Sequence, residues 1–129
     1  MPSAQELTKL GHVLIEHCKA QRDVELQDNY YTADAVSVEA APMPTGSAES
    51  IGLDAIKAKN AWWTGAHELH AMDIEGPFIH GSDRFSIIID IDVTEKASGQ
   101  RTQMKEIATY YVNDDHKITR EEFAYALDG

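Results

Sequence analysis

The amino-acid sequence predicts an α+β fold in which about three N-terminal helices pack on a curved antiparallel β-sheet. Two patterns carry that prediction. Apolar residues recur at helical spacing in the first half of the chain, and from His67 onward they alternate with period two between turn-rich breaks. The length of 129 residues, with 43% hydrophobic and 26% charged, then fits one core and a single domain spanning 1–129.

Each element has its own local cause. Ser3 and Glu6 form a capping-box pair ahead of Leu7, Leu10, Leu14 and Cys18, which predicts a first helix from about Ser3 to Lys19. In "RDVELQDNYY" a short second helix starts at Asp23, whose carboxylate is placed to accept a first-turn N–H. "AVSVEA" alternates around β-branched residues and reads as a strand, and "APMPTGS" ends it in a loop with two prolines and a glycine. "LDAIKAKNAWW" reads as a third helix with Ile56 and Trp63 on one face and Lys57 and Lys59 pointing elsewhere. Four strands follow, separated by "GPFIHGSD", "EKASGQ" and "NDDHK".

Charge excludes more than it proposes. Eleven basic against twenty-two acidic residues give a formal net charge of -11, which repels nucleic-acid phosphates and anionic lipid, so neither nucleic acid nor membrane is expected as a partner. Cys18 is the single cysteine, so an intrachain disulfide is impossible. Charges interrupt the apolar positions of the first twenty residues, leaving no signal-peptide or spanning run, and a cytoplasmic protein is expected. Gly-rich phosphate loops, G-x-S-x-G and a Cys-His arrangement are missing from the sequence, and no cofactor is implied.

Strand parity assigns candidate site residues. In "HELH", His67 and His70 lie three apart, so on a regular strand they point to opposite faces and cannot share a metal ion; no metal site is expected. The even positions Glu68, His70, Met72 and Ile74 include two apolar residues, whereas the odd set ends in Asp73 and Glu75, so His70 is expected to face in. Phe85, Ile87, Ile89, Ile91 and Val93 form the inner face of the next strand, opposite Asp90, Asp92 and an anomalous Ile88. Thr102, Met104, Glu106, Ala108, Tyr110 and Val112 share a face of the third, which sets Glu106 among apolar neighbours.

A carboxylate so placed must be paired, hydrogen-bonded or protonated, because desolvation disfavours its charged form. Glu106 and His70 are therefore the candidate catalytic acid-base residues, with satisfied core groups as the alternative for both. Trp62 and Trp63 diverge by about 100° on a helix. Trp63 is assigned to the core and Trp62 to the pocket rim. Of Tyr30 and Tyr31, one packs and one offers its hydroxyl to a cavity. The predicted lining is Tyr31, Trp62, Glu68, Met72, Phe85, Ile87, Met104 and Tyr110.

The order helix, helix-"YYTADAVSVEA", proline loop, helix-"GLDAIKAKNAWW", four strands and "DDHKITREEF" resembles the SnoaL-like proteins of the nuclear transport factor 2-like superfamily, which includes ketosteroid isomerases and polyketide cyclases. The likeness runs from Ala4 to about Tyr125. "DVELQDNYYTAD" is similar to the family's Asp-(Ile/Leu)-Glu...Tyr-Ala-Asp-Asp signature, and "DDHKI" to its Asp-Gly-Lys-Ile turn, with His116 where the family prefers glycine.

The resemblance implies a cone whose helices close one end of a strongly bent sheet over an apolar cavity, with homodimers formed through the outer sheet face, where Ile88 fits. Glu68, His70, Met72, Glu106 and Tyr110 would surround the cavity. The isomerase residues are replaced, with Ile15 at the tyrosine position, Ala40 at the base aspartate position and Lys105 then Glu106 near the third, so that mechanism does not carry over.

Three functions stay open. One is a cofactor-free enzyme of isomerase, cyclase or dehydratase type acting by acid-base chemistry on an apolar carbonyl-containing substrate. The second is a noncatalytic binder of an apolar or aromatic small molecule. The third is a structural or dimerisation module whose cavity is filled by its own side chains.

Overall fold

The computed structural model describes residues 1–44 and 46–127. Residue 45 of the proline loop and the last two of the 129 residues lie outside the described set. Helix α1 (Ala4–Lys19) begins with the expected reciprocal cap: Ser3 N–H donates to Glu6 Oε1 at 3.0 Å and Glu6 N–H to Ser3 Oγ at 3.1 Å. Its inward stripe is Leu7, Leu10, Gly11, Leu14 and Ile15. Gly11 permits the closest approach to the sheet, since a Cβ there would lie 2.5 Å from Pro77 Cβ. Helix α2 (Asp23–Tyr30) is capped at Arg22 with no side-chain bond, so Asp23 does not serve as the expected cap.

β1 (Tyr31–Val38) leads through the proline loop to a three-residue β2 (Glu49–Ile51), a strand too short to leave a period in the sequence. Helix α3 (Leu53–Ala66) follows, then β3 (His67–His80), β4 (Arg84–Glu95), β5 (Arg101–Val112) and β6 (Ile118–Tyr125). β3 continues through Gly76-Pro77, where a turn was expected, with a bulge there in place of a turn. The six strands make one sheet in the order β2-β1-β6-β5-β4-β3. It is mixed rather than wholly antiparallel, because β1 lies parallel to β6. Between β5 and β6, His116 adopts φ 60°, the left-handed conformation that explains a preference for glycine at that turn position.

Curvature comes from interruptions of register. β3 shifts against β4 between Leu69 and Ala71 and again between Glu75 and Phe78, and β6 shifts against β5 at Thr119. The concave face packs on α1, α2 and α3. At the narrow end α1 fills the cone: Phe85 and Ile87, both 0% exposed, belong to solid core there. On the convex face Ile88 pairs across strands with Ile107, which is 50% exposed. No helix among the described residues is long and apolar enough to cross a membrane.

Candidate functional site

Away from α1's packed end the cone stays hollow, enclosing a cavity of about 290 Å³. One wall is apolar, with Leu26 from α2, Leu69 and Met72 from β3, Ile89 and Ile91 from β4, and Met104 from β5. The opposite end is polar and unusually acidic: Asp23, Glu39, Glu106 and Glu121 line it with Lys59.

Of the residues expected around the cavity, Glu106, Tyr31, Met72, Met104 and Tyr110 are there. His70 is not. It is exposed, its Nε2 2.7 Å from Thr94 Oγ1 on the outer face. Glu68 is likewise exposed and outward. The cause is the bulge at His70: Leu69 pairs with Val93 and Ala71 with Asp92, so His70 is the extra residue and parity reverses across it. Met72 and Ile74 point in as parity predicts, but that inference cannot be extended back through the bulge. His67, not His70, lines the cavity.

Of the tryptophans, Trp62 does not line the cavity, and Trp63, assigned to the core, packs against it and lines the cavity as well. Trp62 is 46% exposed, while Trp63 is stacked on His67 with ring centroids 4.4 Å apart at 18°. Phe85 and Ile87 are inward, as read, but lie outside the cavity lining, because parity fixes the face of a strand and says nothing about depth along the cone. Phe85 instead stacks on Tyr110 at 5.3 Å.

At the polar end, Glu121 is 4% exposed and accepts a hydrogen bond from the Tyr31 hydroxyl. Lys59 Nζ donates to Ser37 Oγ, lies 3.7 Å from Glu39 Oε2, and sits 4.9 Å from the Phe123 ring centroid. The helical reading that turned Lys59 away is thus corrected, as its ammonium lines the cavity. Burial raises the carboxyls of Glu39 and Glu121 above the ordinary range, with Lys59 opposing in both and the Tyr31 bond also opposing in Glu121. Asp23 is raised by burial too, against His17 and a bond from Cys18.

Glu106 differs from these three. Its carboxylate forms no hydrogen bond or ion pair among the described residues, and burial, reinforced by Glu39, pushes it up to about 7. Lys59 opposes the rise and Glu121 adds to it. Burial also holds the hydroxyls of Tyr31 and Tyr110 well above their ordinary range, so both remain neutral donors. His67 Nδ1–H donates to the Trp63 carbonyl at 2.9 Å, which leaves Nε2 as the lone-pair nitrogen of the neutral ring. Gln27, 2% exposed, carries an Oε1 that is buried without a partner.

Sequence reasoning missed His67, Lys59, Glu39, Asp23 and Glu121 as lining residues. Only Glu121 had a usable signal, since Glu121 and Phe123 share a parity and both line the cavity. At the positions matched to the isomerase residues, Ile15 is core, Ala40 is exposed and Lys105 is exposed on the strand's outer side, whereas Glu106, next to the third, lines the cavity.

A bent mixed sheet closed by three helices around an acid-lined hollow defines a small α+β cone protein. A SnoaL-like domain model matches residues 6–125, and the chain belongs to that family. It is 35% identical to a Mesorhizobium loti protein provisionally named a SnoaL-like polyketide cyclase, covering 91% of this chain and 97% of that one at a TM-score of 0.82. A Mycobacterium tuberculosis protein in complex with estradiol-17β-hemisuccinate shares the fold at 18% identity, with 95% of each chain covered and a TM-score of 0.75. So does a computationally designed 17-OHP binder, at 19% identity, 95% coverage of each chain and a TM-score of 0.74. Comparison with curated proteins gives no match.

Proposed function

We propose that the cavity takes a small, largely apolar guest and that Glu106 exchanges a proton with it, making the chain a cofactor-free acid-base enzyme of isomerase, cyclase or dehydratase type. The observation that carries this reading is the unpaired Glu106 carboxyl in a hollow, raised to about 7. A general base works best when its pKa lies near the working pH, and a buried carboxyl without a fixed partner satisfies that condition. In the reaction, ionised Glu106 takes a proton from carbon beside a carbonyl, and the C–H electron pair moves to form an enolate. The oxygen charge is met by a neutral donor such as Tyr110, and Glu106 then returns the proton to a different atom. His67, with Nδ1–H tied to Trp63, offers Nε2 as a second acceptor.

Exchange of deuterium into the α-positions of 2-tetralone in D2O, followed by proton NMR, tests this step. The chain is expected to accelerate exchange over buffer by about 10²-fold or more, and Glu106→Gln to abolish the acceleration. Binding of the ketone without accelerated exchange would remove the enzyme reading and leave a binder. The steroid in the Mycobacterium tuberculosis relative and the designed 17-OHP binder, which share this fold, favour that second reading.

A further inference from the structure

The polar end of the cavity has a charge imbalance and a surplus of acceptors. Asp23, Glu39, Glu106 and Glu121 line it, against Lys59 as the one Lys or Arg of the lining. That lysine is already committed to Ser37 and Glu39. Tyr31 is committed to Glu121, and the His67 Nδ1–H to the Trp63 carbonyl. Among the lining groups left without a partner, three accept, the Glu106 carboxyl, His67 Nε2 and the orphaned Oε1 of Gln27, whose side chain is almost wholly buried, against one donor, the Tyr110 hydroxyl. A buried acceptor lacking a donor is destabilising, and a guest that donates to it relieves that cost. An anionic guest would add to the negative charge there, and a carbonyl alone, met by Tyr110, would leave it uncompensated.

We infer that the guest is a small organic cation, an amine on an apolar body, whose ammonium seats among Glu39, Glu106 and Glu121 while the body lies along Trp63, Met72 and Met104. This rests on the reading of the hollow as a site for a small molecule, and it adds the guest's charge. It also gives the guest a part in the chemistry. With the cavity empty of cation, Glu106 shares its surroundings with Glu39 and Glu121, which favours its protonated form. An incoming ammonium opposes those charges, so a cationic guest draws the proton off Glu106 to solvent and raises the fraction of it that acts as base.

Three isosteric probes separate the possibilities by titration calorimetry on the full chain at pH 7: 2-naphthylmethylamine, 2-naphthalenemethanol and 2-naphthoate. The amine is expected to bind at least about tenfold tighter than the alcohol, with naphthoate weakest, a preference equivalent to the ~1.4 kcal/mol of a tenfold change. Its binding should release protons, seen as a heat that differs between phosphate and Tris buffers, and Glu106→Gln should remove that difference. Glu39→Gln, just past the end of β1, should weaken the amine several-fold and the alcohol by less than twofold. Alcohol or naphthoate binding as tightly as the amine would overturn the inference while leaving the small-molecule site intact. An amine insensitive to Glu39→Gln would overturn it too. If none of the three binds, the site reading falls, and the cation with it.

Discussion

β4 with β5 and β3 with β6 are built from similar residues yet behave differently. Along β4, burial alternates without a break from Phe85 to Val93, and eleven consecutive residues pair with β5 from Arg84 to Thr94. β3 carries two extra residues, His70 and one between Glu75 and Phe78, and β6 carries one, Thr119; at His70 and Thr119 inward residues end up three apart: Leu69 and Met72, Ile118 and Glu121. The regular pair supplies a flat apolar floor. The bulged strands bend the sheet's flanks around it and place chemistry at the points where the pleat is interrupted, with His67 and Glu121 each just beyond such a point. Regular pleating thus holds the cone together, and its interruptions decide what faces the cavity.

Deleting one residue from each region tests this most severely. Removing Ile88 from β4 puts either Phe85 and Ile87 or Ile89, Ile91 and Val93 on the wrong face. At about 2–5 kcal/mol for each large apolar side chain lost from a core, two or three such losses are as large as the roughly 5–15 kcal/mol that a domain has to lose. No cooperative urea transition is expected. Removing His70 should do far less, because Glu68 and Ala71 already face out around Leu69 and Met72, and the shortened strand alternates without a break as far as Glu75 with the same inward set. A cooperative transition within about 2 kcal/mol of the parent is expected by the same measurement. Unfolding of both variants would show that the bulge itself, and not the face assignment, holds β3.

These regions also mark what was legible in the sequence. Three helices, a strand meander and the inner faces of β4 and β5 follow from periodicity, because nothing interrupts the period there. Glu106 was found for that reason: Met104, Glu106, Ala108 and Tyr110 lie on an unbroken stretch of β5. His70 was misplaced because a bulge needs no marker residue, and "HELHAM" reads as regular alternation until its partner strand is known. The parallel pairing of β1 with β6 was illegible for a similar reason, since it joins residues about eighty-five positions apart and leaves no local trace. Lys59 stayed hidden because a long side chain on a half-buried helix face can carry its ammonium to a site that the apolar stripe does not indicate.

A middle-sized effect comes from the buried carboxyl on the regular side. Raising Glu106 from 4.5 to about 7 means that the folded chain holds this proton more tightly than the unfolded one. Stability from this group is therefore fully present below about pH 4.5 and is lost as pH rises through 7. Glu106→Gln cannot ionise. Relative to the parent it should gain little at pH 4 and about 1–3 kcal/mol at pH 8, read from urea midpoints at the two pH values. A gain independent of pH would mean that the carboxyl is solvated or paired, and Glu106 would then lose its place as the proton carrier.

The smallest effect distinguishes the two histidines of "HELH". His70 stands outside, bonded only to Thr94 Oγ1, so His70→Ala should change stability by no more than about 0.5 kcal/mol and leave deuterium exchange and amine binding as they were. His67→Ala removes the ring stacked on Trp63 and the Nδ1–H bond to its carbonyl, and should cost about 1–2 kcal/mol while weakening any guest. A near-zero result at position 70 is informative because a strand without the bulge would turn that imidazole into the cavity. Loss of exchange in His70→Ala would mean that β3 returns to regular pleating when a guest is present, carrying His67 out and His70 in.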